Sequence, residues 1–180
     1  GLGDVYKRQP EEFGVVAIAT VIISFFSIFS DLGIAPAIIQ NKDLTEDDLN
    51  GIFSFTLWTG IGISILFFAS AWPIALFYKQ NSLLPICQLL SVNLFFASAN
   101  IVPNALLFKN KEFKFVAYRA LGIQCAGGSL AICAAISGAG LYALIINPIF
   151  TSIFLFIISF RKNPLRICLL YTSDAADDLI

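Results

Sequence analysis

The stretch Ala120–Phe160, ALGIQCAGGSLAICAAISGAGLYALIINPIFTSIFLFIISF, runs 41 residues without one Asp, Glu, Lys or Arg. As a single helix it would rise roughly 60 Å, about twice the hydrocarbon thickness of a bilayer. It is too long for one crossing and about right for two. The break falls at Ser137-Gly138-Ala139-Gly140, where glycines weaken a helix and permit a tight reversal. Two membrane-spanning helices are therefore expected here, and the rest of the chain is read in the same solvent.

Composition agrees. Hydrophobic residues make up 58% of the 180 residues, charged residues 13%, and the mean hydropathy is +0.83. A water-soluble domain of this size has no use for so much apolar surface. The net charge of −1 is silent on nucleic acid, and no Lys/Arg cluster is dense enough to suggest it as a partner. Cys87, Cys125 and Cys133 sit in apolar runs, where a free thiol behaves as a small hydrophobe. With no histidine, and no CxxC pair, nothing here suggests a zinc site, a His-based triad or any cofactor.

Outward from the deciding stretch, three more apolar runs precede it. The first, Phe13–Ile39, is opened by Pro10-Glu11-Glu12 and interrupted only by Asp31. A polar link, Gln40–Asn50, follows, in which Thr45-x-x-Asp48 reads as a capping box that starts the next helix in water. The second run, Gly51–Phe77, is uncharged, with Trp72 and Tyr78 placed for an interfacial aromatic belt. After the turn Lys79-Gln80-Asn81 comes the third, Ser82–Phe108, with Pro85 and Pro103 near its ends, and then a basic link, Lys109–Arg119. The expected fold is all-α, a polytopic transmembrane helical bundle of five spans near 13–31, 51–72, 84–107, 117–136 and 141–160.

The ends do not fit this pattern. Residues 1–9 (GLGDVYKRQ) and 168–180 (CLLYTSDAADDLI) resemble translated sequencing-adapter read-through, and the chain has no methionine. The expectation is a bundle fragment over residues 10–167 with foreign tails at 1–9 and 168–180.

Five spans place alternate links on opposite sides. One side receives Lys42, Lys109, Lys111, Lys114, Arg119, Arg161, Lys162 and Arg166, eight cations; the other receives Lys79 alone. The positive-inside rule makes the first side cytoplasmic, so that links 40–50 and 109–119 and the tail after 160 face the cytoplasm. The first visible span is then entered from outside, which calls for a preceding span.

Three stretches carry a family resemblance: Pro10-Glu11-Glu12-Phe13-Gly14-Val15-Val16-Ala17; Phe25-Phe26-Ser27-Ile28-Phe29-Ser30-Asp31-Leu32-Gly33 with Ala37-Ile38-Ile39-Gln40; and Ile101-Val102-Pro103-Asn104-Ala105-Leu106-Leu107 before the basic link with Phe113 and Phe115. The link Lys42-Asp43-Leu44-Thr45-Glu46 adds to it. Over residues 10–164 the chain resembles the Wzx-type lipopolysaccharide and oligosaccharide flippases, of the superfamily that includes multidrug and toxin exporters. The resemblance implies two pseudo-symmetric helical bundles around a central cavity, this chain supplying part of the N-terminal one. It also implies alternating access in a bacterial inner membrane, no covalent chemistry and a lipid-diphosphate-linked oligosaccharide as cargo. Membrane lipids, a polysaccharide polymerase and glycosyltransferases would be its neighbours.

Four residues are candidates for function. Asp31 is an intramembrane acid fit for ion coupling or gating, or a hydrated residue at a span end that helps turn the chain at Leu32-Gly33. Arg119 is suited to a diphosphate, because guanidinium binds phosphate oxygens in a fixed fork; the alternative is an interfacial anchor that snorkels to water. Asn100 and Asn104, one turn apart around Pro103, suit either a sugar or bonds between helices. Small residues in the fourth span, Gly122-x-x-x-Ala126, Gly127-Gly128 and Ala131-x-x-x-Ala135, are expected to let helices approach closely. Two rivals stand beside a flippase. A multidrug exporter would want more intramembrane acid than Asp31. A membrane-embedded polysaccharide-synthesis enzyme or subunit would want more than the short outer turns.

Overall fold

A computed structural model describes residues 14–15, 17–22, 24–28, 33–41, 43–139 and 142–167. Asp31, Pro10 and both unusual tails lie outside the described residues. The described chain is helical, without strands: α1 (Ala17–Ile28), α2 (Ile34–Gln40), α3 (Glu46–Tyr78), α4 (Leu83–Ala99), α5 (Ile101–Lys109), α6 (Phe113–Ile136) and α7 (Tyr142–Lys162).

Four of these are long and apolar enough to cross a membrane: Glu46–Tyr78, Leu83–Lys109 (α4 and α5 counted as one span), Phe113–Ile136 and Tyr142–Lys162. They coincide with the second to fifth expected spans. The first expected span, 13–31, is described only as the shorter apolar α1 and is not among the four.

The boundaries have local causes. Thr45 and Asp48 form the expected capping box: the Asp48 N–H donates to Thr45 Oγ1 at 3.2 Å, and the Thr45 N–H donates to Asp48 Oδ2 at 2.9 Å. Glu46, Asp47 and Asp48 in the first turn complement the positive end of the helix dipole. At 33 residues α3 is roughly 50 Å long, so its acidic start stands clear of a bilayer. Three reversals share one device, a left-handed residue whose successor donates to a carbonyl five residues back. Lys79, Lys111 and Gly138 take φ of 54°, 58° and 87°. Gln80, Glu112 and Ala139 then donate to the carbonyls of Ala75, Leu107 and Ala134.

The third span is broken at Asn100, which the sequence reading treated as continuous. Pro103 has no N–H to give the Ala99 carbonyl, and its ring crowds that carbonyl, so α4 stops and α5 restarts one residue later. The fourth span also begins earlier than expected. The basic link is only residues 110–112, and α6 starts at Phe113, which places Arg119 two turns inside a helix instead of at its mouth.

Packing joins α3 to α4, α6 to α7, α4 to α7 and α2 to α5. One apolar cluster links α3 and α4 through Phe67, Ala71, Leu83, Ile86 and Leu94; a second joins α2, α3 and α5 through Ile38, Phe53, Val102 and Leu106. The outer faces remain apolar and open: Trp58 is 56% exposed, Trp72 65% and Phe77 82%. Such faces belong against lipid tails rather than water. One end of the bundle gathers the polar link before α3, the link between α5 and α6 and the chain after α7. Lys162 pairs with Glu112 at 3.3 Å, and the Arg166 N–H donates to Asn50 Oδ1 at 2.8 Å. The Lys79 and Gly138 reversals lie at the far ends of the same helices.

Candidate functional site

Three of the four candidate residues from the sequence meet in one cluster. Arg119 projects from α6 and is 8% exposed. Its Nη2 donates to Asn104 Oδ1 on α5 at 2.8 Å, and its Nη1 donates to the Ser159 hydroxyl on α7. Ser159, fully buried, faces the Asn100 side-chain oxygen at 2.7 Å and the Leu155 carbonyl. A hydroxyl has one hydrogen, so these two acceptors share it, while the oxygen takes the arginine's proton. The helix break at Asn100 presents that side chain at the junction of α4 and α5, facing α7.

The cluster has one unusual property. Among the described residues Arg119 pairs with no carboxylate, and its Nε is buried without a partner. Its hydrogen-bond partners among the described residues, Ser159 and Asn104, are neutral. A buried cation is costly unless its charge is answered. The interfacial anchor weighed for Arg119 does not describe it, because a snorkelling side chain would carry its head into water. Lys114 and Arg161, by contrast, are exposed.

Two cavities adjoin the cluster and share Asn100 and Ala97. One, of about 340 Å³, is bordered by Ser27, Ser98, Asn100 and Asn104. The other, of about 420 Å³, lies between α4, α6 and α7 and is bordered by Asn93, Asn100, Gln124, Asn147 and Thr151. Arg119 borders neither; it holds Asn104 directly, and Asn100 through Ser159, at their edges. Ser159 went unnoticed in the sequence, although its spacing from Asn147, Thr151 and Leu155, four residues at each step, marks one face of α7. Small residues act at fewer places than expected. A Cβ on Gly127 would come 2.5 Å from Asn147 Oδ1, and one on Gly60 would come 2.8 Å from Ser98 Cβ, whereas Gly122 and Gly128 have open space. Among the described residues no group of three His, Cys, Asp or Glu side chains is arranged to hold a metal ion.

The family model described as "Polysaccharide biosynthesis protein" matches residues 9–180. The chain belongs to that family. Among curated relatives, a membrane protein of the cps region of Klebsiella pneumoniae is 28% identical over 105 residues, 58% of this chain and 22% of its own length. The succinoglycan biosynthesis transport protein ExoT of Rhizobium meliloti is 21% identical over 137 residues, 76% of this chain and 28% of its own. The teichuronic acid biosynthesis protein TuaB of Bacillus subtilis is 31% identical over 68 residues, 38% of this chain and 14% of its own. The chain thus spans between 14% and 28% of these relatives' lengths. No solved structure matches it. This member of the polysaccharide biosynthesis family is a multi-pass helical membrane protein.

Proposed function

We propose that the chain forms part of a transporter that moves lipid-diphosphate-linked oligosaccharide across the bacterial cytoplasmic membrane by alternating access. The observation that carries this is the buried guanidinium of Arg119, which among the described residues is held by neutral side chains and pairs with no carboxylate. A site of that kind favours an anionic ligand. A diphosphate supplies charge for the guanidinium and acceptors for the neighbouring amides. Asn100 and Asn104 meet the ligand from the cavity edges, and Arg119 holds them while its field attracts the phosphates. Support for the cargo comes from the family and from ExoT, described as a succinoglycan transport protein. Membrane lipids and the enzymes that build and polymerise the sugar are its expected company.

The cluster lies toward the end that holds eight of the nine cations of the links, with Ser159 three residues of α7 from Lys162. By the positive-inside rule that end faces the cytoplasm, where the loaded lipid would enter. No covalent step is needed, and the site works by binding and release. A drug exporter of the same superfamily draws no support from residues 51–108 and 113–160, which hold no Asp or Glu to neutralise a cationic drug. Asp31 keeps a proposed role in ion coupling or gating.

The test is reconstitution of the complete gene product in liposomes with a fluorescent lipid-diphosphate oligosaccharide, scoring arrival in the opposite leaflet. Flipping that survives in Arg119→Lys and drops about tenfold or more in Arg119→Leu supports the assignment. Equal flipping in both variants, or none in the wild type, overturns it.

A further inference from the structure

The cavity between α4, α6 and α7 has a chemistry different from the arginine cluster beside it. Its polar lining is made of amides and hydroxyls: Asn93, Asn100, Gln124, Asn147, Thr151 and Ser152, with no charged side chain. Asn93 and Gln124 make no side-chain hydrogen bond among the described residues. Asn147 uses only its oxygen, accepting from Thr151 Oγ1 at 3.2 Å, so both of its N–H donors stay free. The bare backbone of Gly127 makes this possible, because a methyl there would collide with the Asn147 oxygen. These amides sit well inside their helices: Asn93 is ten residues into α4, Gln124 eleven into α6 and Asn147 five into α7.

Amides left facing lipid are costly, and a polar occupant of the cavity relieves that cost. A carboxamide donates and accepts at once, which matches the hydroxyls of a sugar. We propose that this groove seats the uncharged, hydroxyl-bearing sugar portion of the cargo, while the Arg119 cluster answers its phosphates. The assignment rests on the flippase reading above. It divides the cargo between two neighbouring sites that share Asn100, with the phosphates nearer the basic end and the sugar deeper along α7. Asn147 and Thr151 at one site and Ser159 at the other lie along one side of α7 within roughly 18 Å, with the apolar Leu155 between them.

The experiment measures binding to the complete gene product in nanodiscs with two probes. One is a polyprenyl diphosphate bearing a neutral trihexose, and the other is the same lipid without sugar. The variants are Asn93→Leu/Gln124→Leu/Asn147→Leu together and Gln124→Leu alone, the latter at an exposed position where folding is safe. The expected result is about a tenfold loss for the glycosylated probe in the triple variant and a smaller loss in the single. The sugarless probe should change less than twofold. Equal losses for both probes in Gln124→Leu would mean that the amides tie helices together, and would overturn the sugar seat. Unchanged binding of both probes in the triple variant would overturn it too, and would leave the flippase reading standing. If the wild type binds neither probe, the flippase reading falls and the sugar seat falls with it.

Discussion

A guanidinium inside a membrane bundle stays put only if its hydrogens are answered, and here two neutral side chains on two other helices do so. Arg119→Leu would leave Asn104 and Ser159 short of a donor each. The cost expected is about 1–3 kcal/mol, read from denaturant unfolding in detergent. Ser159→Ala removes the acceptor for Arg119 and the donor facing Asn100 while creating almost no cavity. A comparable loss, absent when Arg119 is already Leu, would show that the two residues act as one unit; additive losses would separate them. At this scale the sequence offered residue types but not partners. Asn100 and Asn104 are one turn apart and were legible as a pair. Arg119 and Ser159 are separated by 40 positions, and only the packing of α6 on α7 brings them together.

Elements were easier to read than their joints. Long uncharged runs gave the helices, because a backbone in lipid must satisfy its own hydrogen bonds. The capping box at Thr45 was legible for the same local reason. The reversal at Gly138 announced itself by glycine, whereas those at Lys79 and Lys111 place an exposed lysine in a left-handed conformation that its residue type does not signal. The break at Asn100 follows from Pro103. With alanine at that position the N–H could reach the Ala99 carbonyl and restore a continuous α4–α5 helix. Pro103→Ala should therefore straighten this span, visible as a changed spin-label distance between its two ends, and should impair transport by turning Asn100 away from Ser159. An unchanged distance would relieve Pro103 of that role. Glycine substitutions separate close approach from composition. Gly127→Ala and Gly60→Ala meet atoms inside 3 Å and should cost about 1–3 kcal/mol. Gly122→Ala meets nothing within 4 Å and should be neutral, or stabilising by up to about 1 kcal/mol. Thermal shift assays on the three proteins decide it.

For the whole molecule the charge pattern makes a sidedness prediction. In a background without native cysteines, single cysteines at Asn110 and Asn163 should react with an impermeant thiol reagent only when the cytoplasmic face is exposed. Cysteines at Gln80 and Ser137 should react only from the other side. Labelling of all four from one face would break the topology. The sequence by itself determined that this protein lives in a membrane, where most of its helices run, and which links share a side. Those properties follow from hydropathy, helix length and charge, which are sums over local residues. Only the tertiary structure decided that Arg119 is buried rather than anchored at the surface. It alone showed that Asn100, Asn104, Arg119 and Ser159 form one cluster, and that Gly127 rather than Gly122 is where helices touch. The reason is physical. In an apolar solvent the outward and inward faces of a helix are equally hydrophobic, so no sequence pattern says which face meets a neighbour. Close packing and the pairing of the few polar groups settle it.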